Sequence, residues 1–173
     1  MEPSIYLHDT MSFVVAHRIT PLLLYLPFVG GLALLLPGPY RMALPASALS
    51  FVAFLAALCA AVLTSTAVSC ILTVLHIRVE LGRGLVAFLS FVISFLSGAE
   101  VPLPILPRPI VTVLRWLPFA GIFDMPCSLY LGLIPLSDAL VFIVRQLGWT
   151  FVLVLLGVFL LRSSLRRVVI QGG

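Results

Sequence analysis

The chain has 173 residues, of which 62% are hydrophobic and 9% charged, and its formal net charge is +4. A soluble domain carries roughly a quarter charged residues, so this composition excludes an ordinary water-soluble globule and indicates helices that lie in lipid. All the basic residues are arginines at or near the ends of apolar runs, where they orient helices, so we expect no nucleic-acid binding.

The amino-terminal residues 1–18 mix apolar and polar side chains, which predicts an interfacial segment on the cytoplasmic side. No lysine or arginine precedes Thr10, so the segment lacks the basic start of a cleavable signal, and we expect the following spans to be retained. The first crossing is predicted at about 19–36. It ends at 37–39, because two prolines around a glycine cannot continue a helix.

A second apolar run, 43–77, predicts the next crossing. As one helix it would reach roughly 50 Å, which exceeds the bilayer core, so it must tilt, bend or project into water. One part of the run carries small and weakly polar residues that suit close helix packing: Thr64, Ser65, Thr66, Ser69 and Cys70.

The stretch 76–84 is the most hydrophilic in the middle of the chain and predicts a short loop on the cytoplasmic side. Its charged residues are Arg78, Glu80 and Arg83. The third crossing is predicted at about 85–98, where the small pair Ser97 and Gly98 ends it.

Residues 99–136 contain seven prolines, too many for a continuous helix, yet the stretch stays too apolar for a solvated linker. A re-entrant helical hairpin on the extracellular side fits both facts. A short helix is predicted at 110–117. On it Arg108, Thr112 and Arg115 share one face, while the other face carries Ile110, Val113, Leu114 and Leu117.

The last crossing is predicted at about 137–161. Three arginines follow it, at 162, 166 and 167, and mark a cytoplasmic end. Four crossings also place the amino terminus in the cytoplasm. The expected fold class is therefore all-α: a single polytopic transmembrane helix bundle over 1–173, multi-pass in the cell inner (plasma) membrane, with both termini cytoplasmic.

No pattern for catalysis is present. The three histidines have no metal-ligand spacing, there is no glycine-rich phosphate loop, and the three cysteines form no Cys-x-x-Cys pair. We therefore predict that the chain is not an enzyme and that it holds no cofactor or metal.

Four polar residues near the proline-rich stretch leave two interpretations open. Glu100 and Asp124 either pair with Arg108 or Arg115 at a wet outer boundary, or face a substrate vestibule. Gln146 either makes a hydrogen bond across helices or contacts a ligand. Arg145 is expected to extend outward to the interface.

The last third of the chain resembles the permease subunits of type-2 ATP-binding-cassette transporters, in particular a bacterial branch of export permeases. The matching residues follow one another in order and spacing: Phe95-Leu96-Ser97-Gly98, Val101-Pro102-Leu103, Pro107, Leu117-Pro118-Phe119, Pro126, Tyr130-Leu131-Gly132, Gln146, Trp149 and Val169-Ile170-Gln171-Gly172-Gly173. Residues 3–7 (PSIYL) match the cytoplasmic segment before that family's third span.

The resemblance implies a subunit that forms the translocation pathway and is driven by a separate ATPase chain, together with a second permease copy or a related permease. The candidate pathway or gate residues are Ser97, Gly98, Glu100, Pro102, Pro118, Phe119, Asp124 and Gln146. The implied contacts with the ATPase are Pro3, Tyr6, Arg78, Glu80 and Arg83.

The chain departs from that family in three ways. The family usually has six spans, and this chain resembles the carboxy-terminal four. Glu100 stands where an apolar residue is usual, and Asp124 stands where an aromatic residue often occurs. The alternative hypothesis is therefore a truncated or degenerate permease that acts as a non-transporting membrane partner or assembly protein.

Overall fold

The computed structural model describes residues 44–79 and 83–171, with side-chain surroundings for 44–76 and 84–163, and the single positions 27, 30, 31 and 35. Within these ranges all regular secondary structure is helical, which confirms the predicted all-α class there. The predicted interfacial segment 1–18 lies outside the described residues. So does the first crossing at 19–36, apart from the single positions.

Helix α1 spans Ala48–Val79. It begins where the Ser47 hydroxyl accepts a hydrogen bond from the backbone N–H of Ser50 at 3.0 Å, a typical N-cap interaction. The helix is continuous over the whole second apolar run and continues beyond His76 into the predicted 76–84 loop. At 1.5 Å per residue it is about 48 Å long.

Helix α5 spans Leu136–Gln171 and packs along α1. Alanines and glycines allow the close approach: Ala57, Ala60, Ala61 and Ala139 are buried, and Gly157 faces Ile71. Small residues serve this purpose at helix contacts within lipid.

Two described helices, α1 and α5, are long and apolar enough to cross a membrane. Their surroundings differ, since 39% of the most apolar stretch of α1 is buried but only 11% of that of α5. A helix in the core of a soluble protein would be covered by its neighbours. The exposed apolar surface of α5 therefore needs lipid or another chain around it.

Helix α2 spans Arg83–Ser97. It ends in a Schellman motif: Gly98 has φ of +85°, its N–H binds the Phe95 carbonyl, and the Ala99 N–H binds the Ser94 carbonyl. The predicted helix end at Ser97-Gly98 is thus where the helix ends.

The proline-rich segment, which we define as 98–135, consists of short helices and turns. A 3₁₀ turn spans Leu103–Ile105, α3 spans Arg108–Trp116 and α4 spans Asp124–Tyr130. Prolines lie at the starts of the first two, where the missing N–H costs nothing. This explains why α3 begins two residues before the predicted helix 110–117.

The proline-rich segment has its own small core and a second one shared with the long helices. The first contains Leu103, Leu114 and Ala120, and the second contains Ala57, Met125, Leu129, Ile134 and Ala139. The predicted apolar face of α3 is only half correct. Leu114 is buried, but Ile110 and Val113 are exposed, because the buried side of α3 runs through Val111 and Leu114.

Candidate functional site

The proline-rich segment is held against α5 by three side chains that bind its backbone. We call these side chains, Arg145, Gln146 and Trp149, the carbonyl-binding cluster. Arg145 donates to the Arg115 carbonyl at 2.8 Å, Trp149 to the Trp116 carbonyl at 3.0 Å, and Gln146 to the Pro118 carbonyl at 3.3 Å. The last carbonyls of a helix have no partner within it, so α5 supplies partners for the end of α3 and the turn after it.

Gln146 also joins α5 to α1. Its Nε2 donates to the Thr64 hydroxyl at 2.6 Å, and that hydroxyl lies 2.7 Å from the Thr150 hydroxyl. Thr64 can in turn donate to the Ala60 carbonyl at 2.9 Å. If Thr150 donates to Thr64, every polar hydrogen of Gln146, Thr64 and Thr150 has an acceptor. All three residues are at most 9% exposed, so the interaction is shielded from water.

Gly121 allows the Gln146 amide to reach this position. A Cβ atom on Gly121 would overlap Gln146 Oε1, so no other residue fits without moving the amide. The adjoining cavity, which Gly121, Gln146 and Met125 help to line, measures about 10 Å³, close to the space of one water. It is too small for a substrate.

Arg145 contacts two aromatic rings. Its Cζ lies 4.8 Å from the ring centre of Phe142 and 5.1 Å from that of Trp116, within the range of cation–π attraction. Together with the bond to the Arg115 carbonyl, these contacts fix the direction of the guanidinium. We expected only an outward extension of this side chain, and the contact with α3 was not anticipated.

Asp124 and Arg115 form an ion pair between α4 and α3, with 3.1 Å between Oδ2 and Nε. Of the two side chains, Asp124 is 5% exposed and Arg115 27%. This confirms that Asp124 pairs with an arginine of the segment. The prediction of a wet boundary is wrong for Asp124, because its carboxylate is buried. Burial raises the pKa of Asp124 above its ordinary value, against the opposing effect of the Arg115 charge and hydrogen bond.

The predicted pathway residues separate into two groups. Gly98, Pro118, Asp124 and Gln146 are buried together with Ser97. Gly98 lies against Asp124, since a Cβ built on it would be 3.3 Å from the Asp124 Cβ. Glu100 and Pro102 are exposed and Phe119 is half-buried. Glu100 accepts a hydrogen bond from Ser94 at 3.1 Å, so it joins neither predicted arginine in the described structure.

Most of the predicted ATPase contacts lie outside the residues that the structure describes. Pro3, Tyr6 and Glu80 are outside the described residues. Arg78 lies in the last turn of α1 and Arg83 begins α2. The 76–84 connection is therefore shorter than predicted, because α1 reaches Val79.

Three residues that contact this site, Thr64, Thr150 and Gly121, were not predicted to be part of a site. Thr64 was placed only in a small weakly polar helix side, while Thr150 and Gly121 were not singled out at all. A hydroxyl in an otherwise apolar span is a usable signal, because it must find a partner there. Among the described residues, no group of three or more His, Cys, Asp or Glu could hold a metal ion.

Comparison of this chain with family models, with curated proteins and with solved structures finds no match.

Proposed function

We propose that this chain is the membrane-spanning permease subunit of an ATP-binding-cassette exporter and that it forms part of the translocation pathway. ATP hydrolysis takes place on a separate chain. The proposal rests on the ordered set of residues that resembles type-2 permeases, together with an arrangement of α5 and the proline-rich segment that suits such a subunit.

One observation carries the proposal: the carbonyl-binding cluster satisfies the carbonyls at the end of α3 and in the turn after it, which have no partner within the helix. Within a bilayer, irregular backbone is tolerated only where protein or a water-filled cavity covers its polar groups. The bonds from Arg145, Gln146 and Trp149 to three carbonyls meet that requirement. A proline-rich segment whose carbonyls are bonded by side chains of a neighbouring helix suits a re-entrant hairpin that enters the membrane from the outer side.

In the proposed topology the chain crosses the plasma membrane four times, at 19–36 and through α1, α2 and α5, with both ends in the cytoplasm. Helix α2 has 15 residues, fewer than the roughly 20 that a perpendicular crossing needs. A crossing this short would be accommodated by local thinning of the bilayer. Residues 1–18 and the 76–84 connection would then face the ATPase.

A second permease copy, or a related permease, completes the pathway in this proposal. The described chain offers extensive apolar surface for lipid and for such a partner, since Phe151 is 64% and Phe159 68% exposed on α5. The cavity beside the carbonyl-binding cluster is too small for a substrate, and the proposal places the pathway between the two permease chains.

The test is co-purification from membranes with the ATPase encoded beside this chain. We expect the two to purify together, and Arg78→Glu, in the proposed cytoplasmic connection, to weaken the association. Arg108→Glu is the matched control, because it makes the same charge change on an exposed residue of α3, on the proposed outer side.

If no ATPase is encoded there and none co-purifies, the transporter proposal fails. The alternative of a non-transporting membrane partner would then be the remaining one. Equal weakening by the two variants would contradict the proposed orientation.

A further inference from the structure

Arg145 lies well inside an apolar helix. It is the tenth residue of α5, about 14 Å along the axis from Leu136. Its neighbours Val141 and Val144 are 63% and 59% exposed, so apolar surface adjoins the charge. A charge flanked by apolar surface in a membrane helix is costly unless it is paired or reaches the headgroup level, and it commonly marks a binding site.

The charge of Arg145 is not balanced by the residues around it. The adjoining cluster holds two arginines, Arg115 and Arg145, and one carboxylate, Asp124, which gives a formal net charge of +1 if all are ionised. Asp124 is already paired with Arg115. Among residues whose side chains are described, no carboxylate lies within ion-pair distance of Arg145.

The other two carboxylates with described side chains, Glu100 and Asp138, form no ion pair with Arg145. Glu100 accepts from Ser94. Asp138 accepts from its neighbour Ser137 and precedes Arg145 by seven residues, about 10 Å along the helix axis. The excess positive charge at Arg145 is therefore a property of this part of the fold.

The guanidinium is also oriented and has donors to spare. An arginine carries five N–H donors, and Arg145 uses Nη2 for the Arg115 carbonyl. The rings of Phe142 and Trp116 hold it in place. A planar guanidinium with free N–H groups matches a phosphate in a bidentate manner.

We propose that Arg145, with Trp116 beside it, binds the phosphate of an anionic phospholipid whose acyl chains lie along α5. Trp116 is 64% exposed, as suits an aromatic residue at the headgroup level. The exposed valines of α5 offer the apolar contact that a free phosphate ion could not use. This site requires α5 in a bilayer, but it does not depend on the proposed transport function.

The chain contains two tryptophans, Trp116 and Trp149, and both lie at this site, so intrinsic fluorescence reports on it directly. The experiment places the full chain in phosphatidylcholine vesicles and adds phosphatidylglycerol with brominated acyl chains, which quench nearby tryptophan. Brominated phosphatidylcholine is the reference. We expect roughly fivefold preferential association of phosphatidylglycerol, the factor that about one favourable charge contact provides.

Arg145→Gln is expected to reduce the preference to about one, whereas Arg108→Gln, which removes the same charge from exposed α3, should retain it. Equal quenching by the two lipids in the unmodified chain would overturn the proposal, whether or not the variants fold. A preference that Arg145→Gln leaves intact would also overturn it. If excess inorganic phosphate abolishes the preference, the site recognises a soluble anion and the lipid assignment is wrong.

Discussion

Helix α2 and the proline-rich segment are both apolar and follow α1 in the chain, but they relate to the rest of the molecule in opposite ways. Phe88 and Phe91 on α2 are 59% and 57% exposed, and the Ser90 hydroxyl bonds to the Val86 carbonyl within the same helix. The proline-rich segment buries Leu103 completely and is bound by α5.

The difference shows that apolar composition does not decide which segment packs against the long helices. In lipid there is little hydrophobic drive for one helix to cover another. Helix α2 satisfies its own backbone, and the Ser90 and Ser97 hydroxyls bond to carbonyls within it. Of its serines, Ser94 alone reaches beyond the helix, to Glu100, so little requires a fixed partner. The proline-rich segment leaves carbonyls unpaired, and those carbonyls specify its position on α5.

The largest expected effect tests the packing of the segment. Leu103→Ala should lower the free energy of unfolding by about 4 kcal/mol, because it leaves a cavity beside the buried Leu114 and Ala120. Phe91→Ala on α2 is the contrast and should change it by less than about 0.5 kcal/mol. Detergent-induced unfolding followed by circular dichroism measures both. Similar losses of unfolding free energy in the two variants would contradict the difference between α2 and the proline-rich segment.

The next largest effect concerns the buried ion pair. Arg115→Met should lower the free energy of unfolding by about 3 kcal/mol, because it leaves Asp124 unpaired. This is at the lower end for buried pairs, since 27% of the arginine side chain is exposed. Arg108→Met is the matched control on the same helix and should be nearly neutral. If the two variants are equally stable, the pair does not hold α3 to α4.

Gly121→Ala should cost about 2 kcal/mol, because the added Cβ displaces the Gln146 amide. Gly148→Ala on α5 is the matched control. Nothing lies within 4 Å of its added Cβ, and alanine favours a helix by about 1 kcal/mol over glycine. We therefore expect Gly121→Ala to lower the free energy of unfolding and Gly148→Ala to raise it. A neutral Gly121→Ala would contradict the close approach of Gly121 to the Gln146 amide.

Gln146→Leu should cost about 1.5 kcal/mol, near the upper end for a hydrogen bond between membrane helices. In the Thr64→Val background the same substitution should cost less, because their shared bond is already gone. Ser90→Ala, which removes a bond within α2, should cost less than about 0.5 kcal/mol. Strict additivity of Gln146→Leu and Thr64→Val would show that the two side chains do not interact.

The smallest expected effect is on pH dependence. Because burial raises the pKa of Asp124 in the folded chain, the folded state holds this proton more tightly than the unfolded state. The contribution of Asp124 to the stability of the folded chain is therefore present at low pH and is lost as pH rises through the raised pKa. Asp124→Asn should flatten that part of the profile of unfolding free energy against pH. An opposite slope would contradict the dominance of burial.

Local features of the sequence predicted much of this arrangement. The two long helices follow from apolar runs, the end of α2 from Ser97-Gly98, and the short helix α3 from the prolines around it. The pairing of Asp124 with an arginine and the hydrogen bond of Gln146 across helices were each one of two interpretations that the sequence left open. Polar groups in apolar surroundings need partners, and the structure shows which partners they have.

The partners themselves could not be predicted, because they depend on how α1 and α5 align. Thr64 and Gln146 are 82 residues apart, and nothing local fixes which turn of one helix meets the other. The exposure of Ile110 and Val113 could not be predicted either, because it depends on contacts within the proline-rich segment. The buried side of α3 is set by Leu103 and Ala120, which come from other parts of the segment.

The most direct measurement tests whether α5 crosses the membrane with the proline-rich segment on the outer side. Single cysteines would be introduced at Ser137 and Arg162 after Cys59, Cys70 and Cys127 are replaced. Both positions are exposed and lie near the two ends of the candidate span Leu136–Ser163. These positions lie about 38 Å apart along the helix, more than the bilayer core. An impermeant thiol reagent on intact cells should label Ser137→Cys, and Arg162→Cys only after permeabilisation. Labelling of both from the same side would contradict the account.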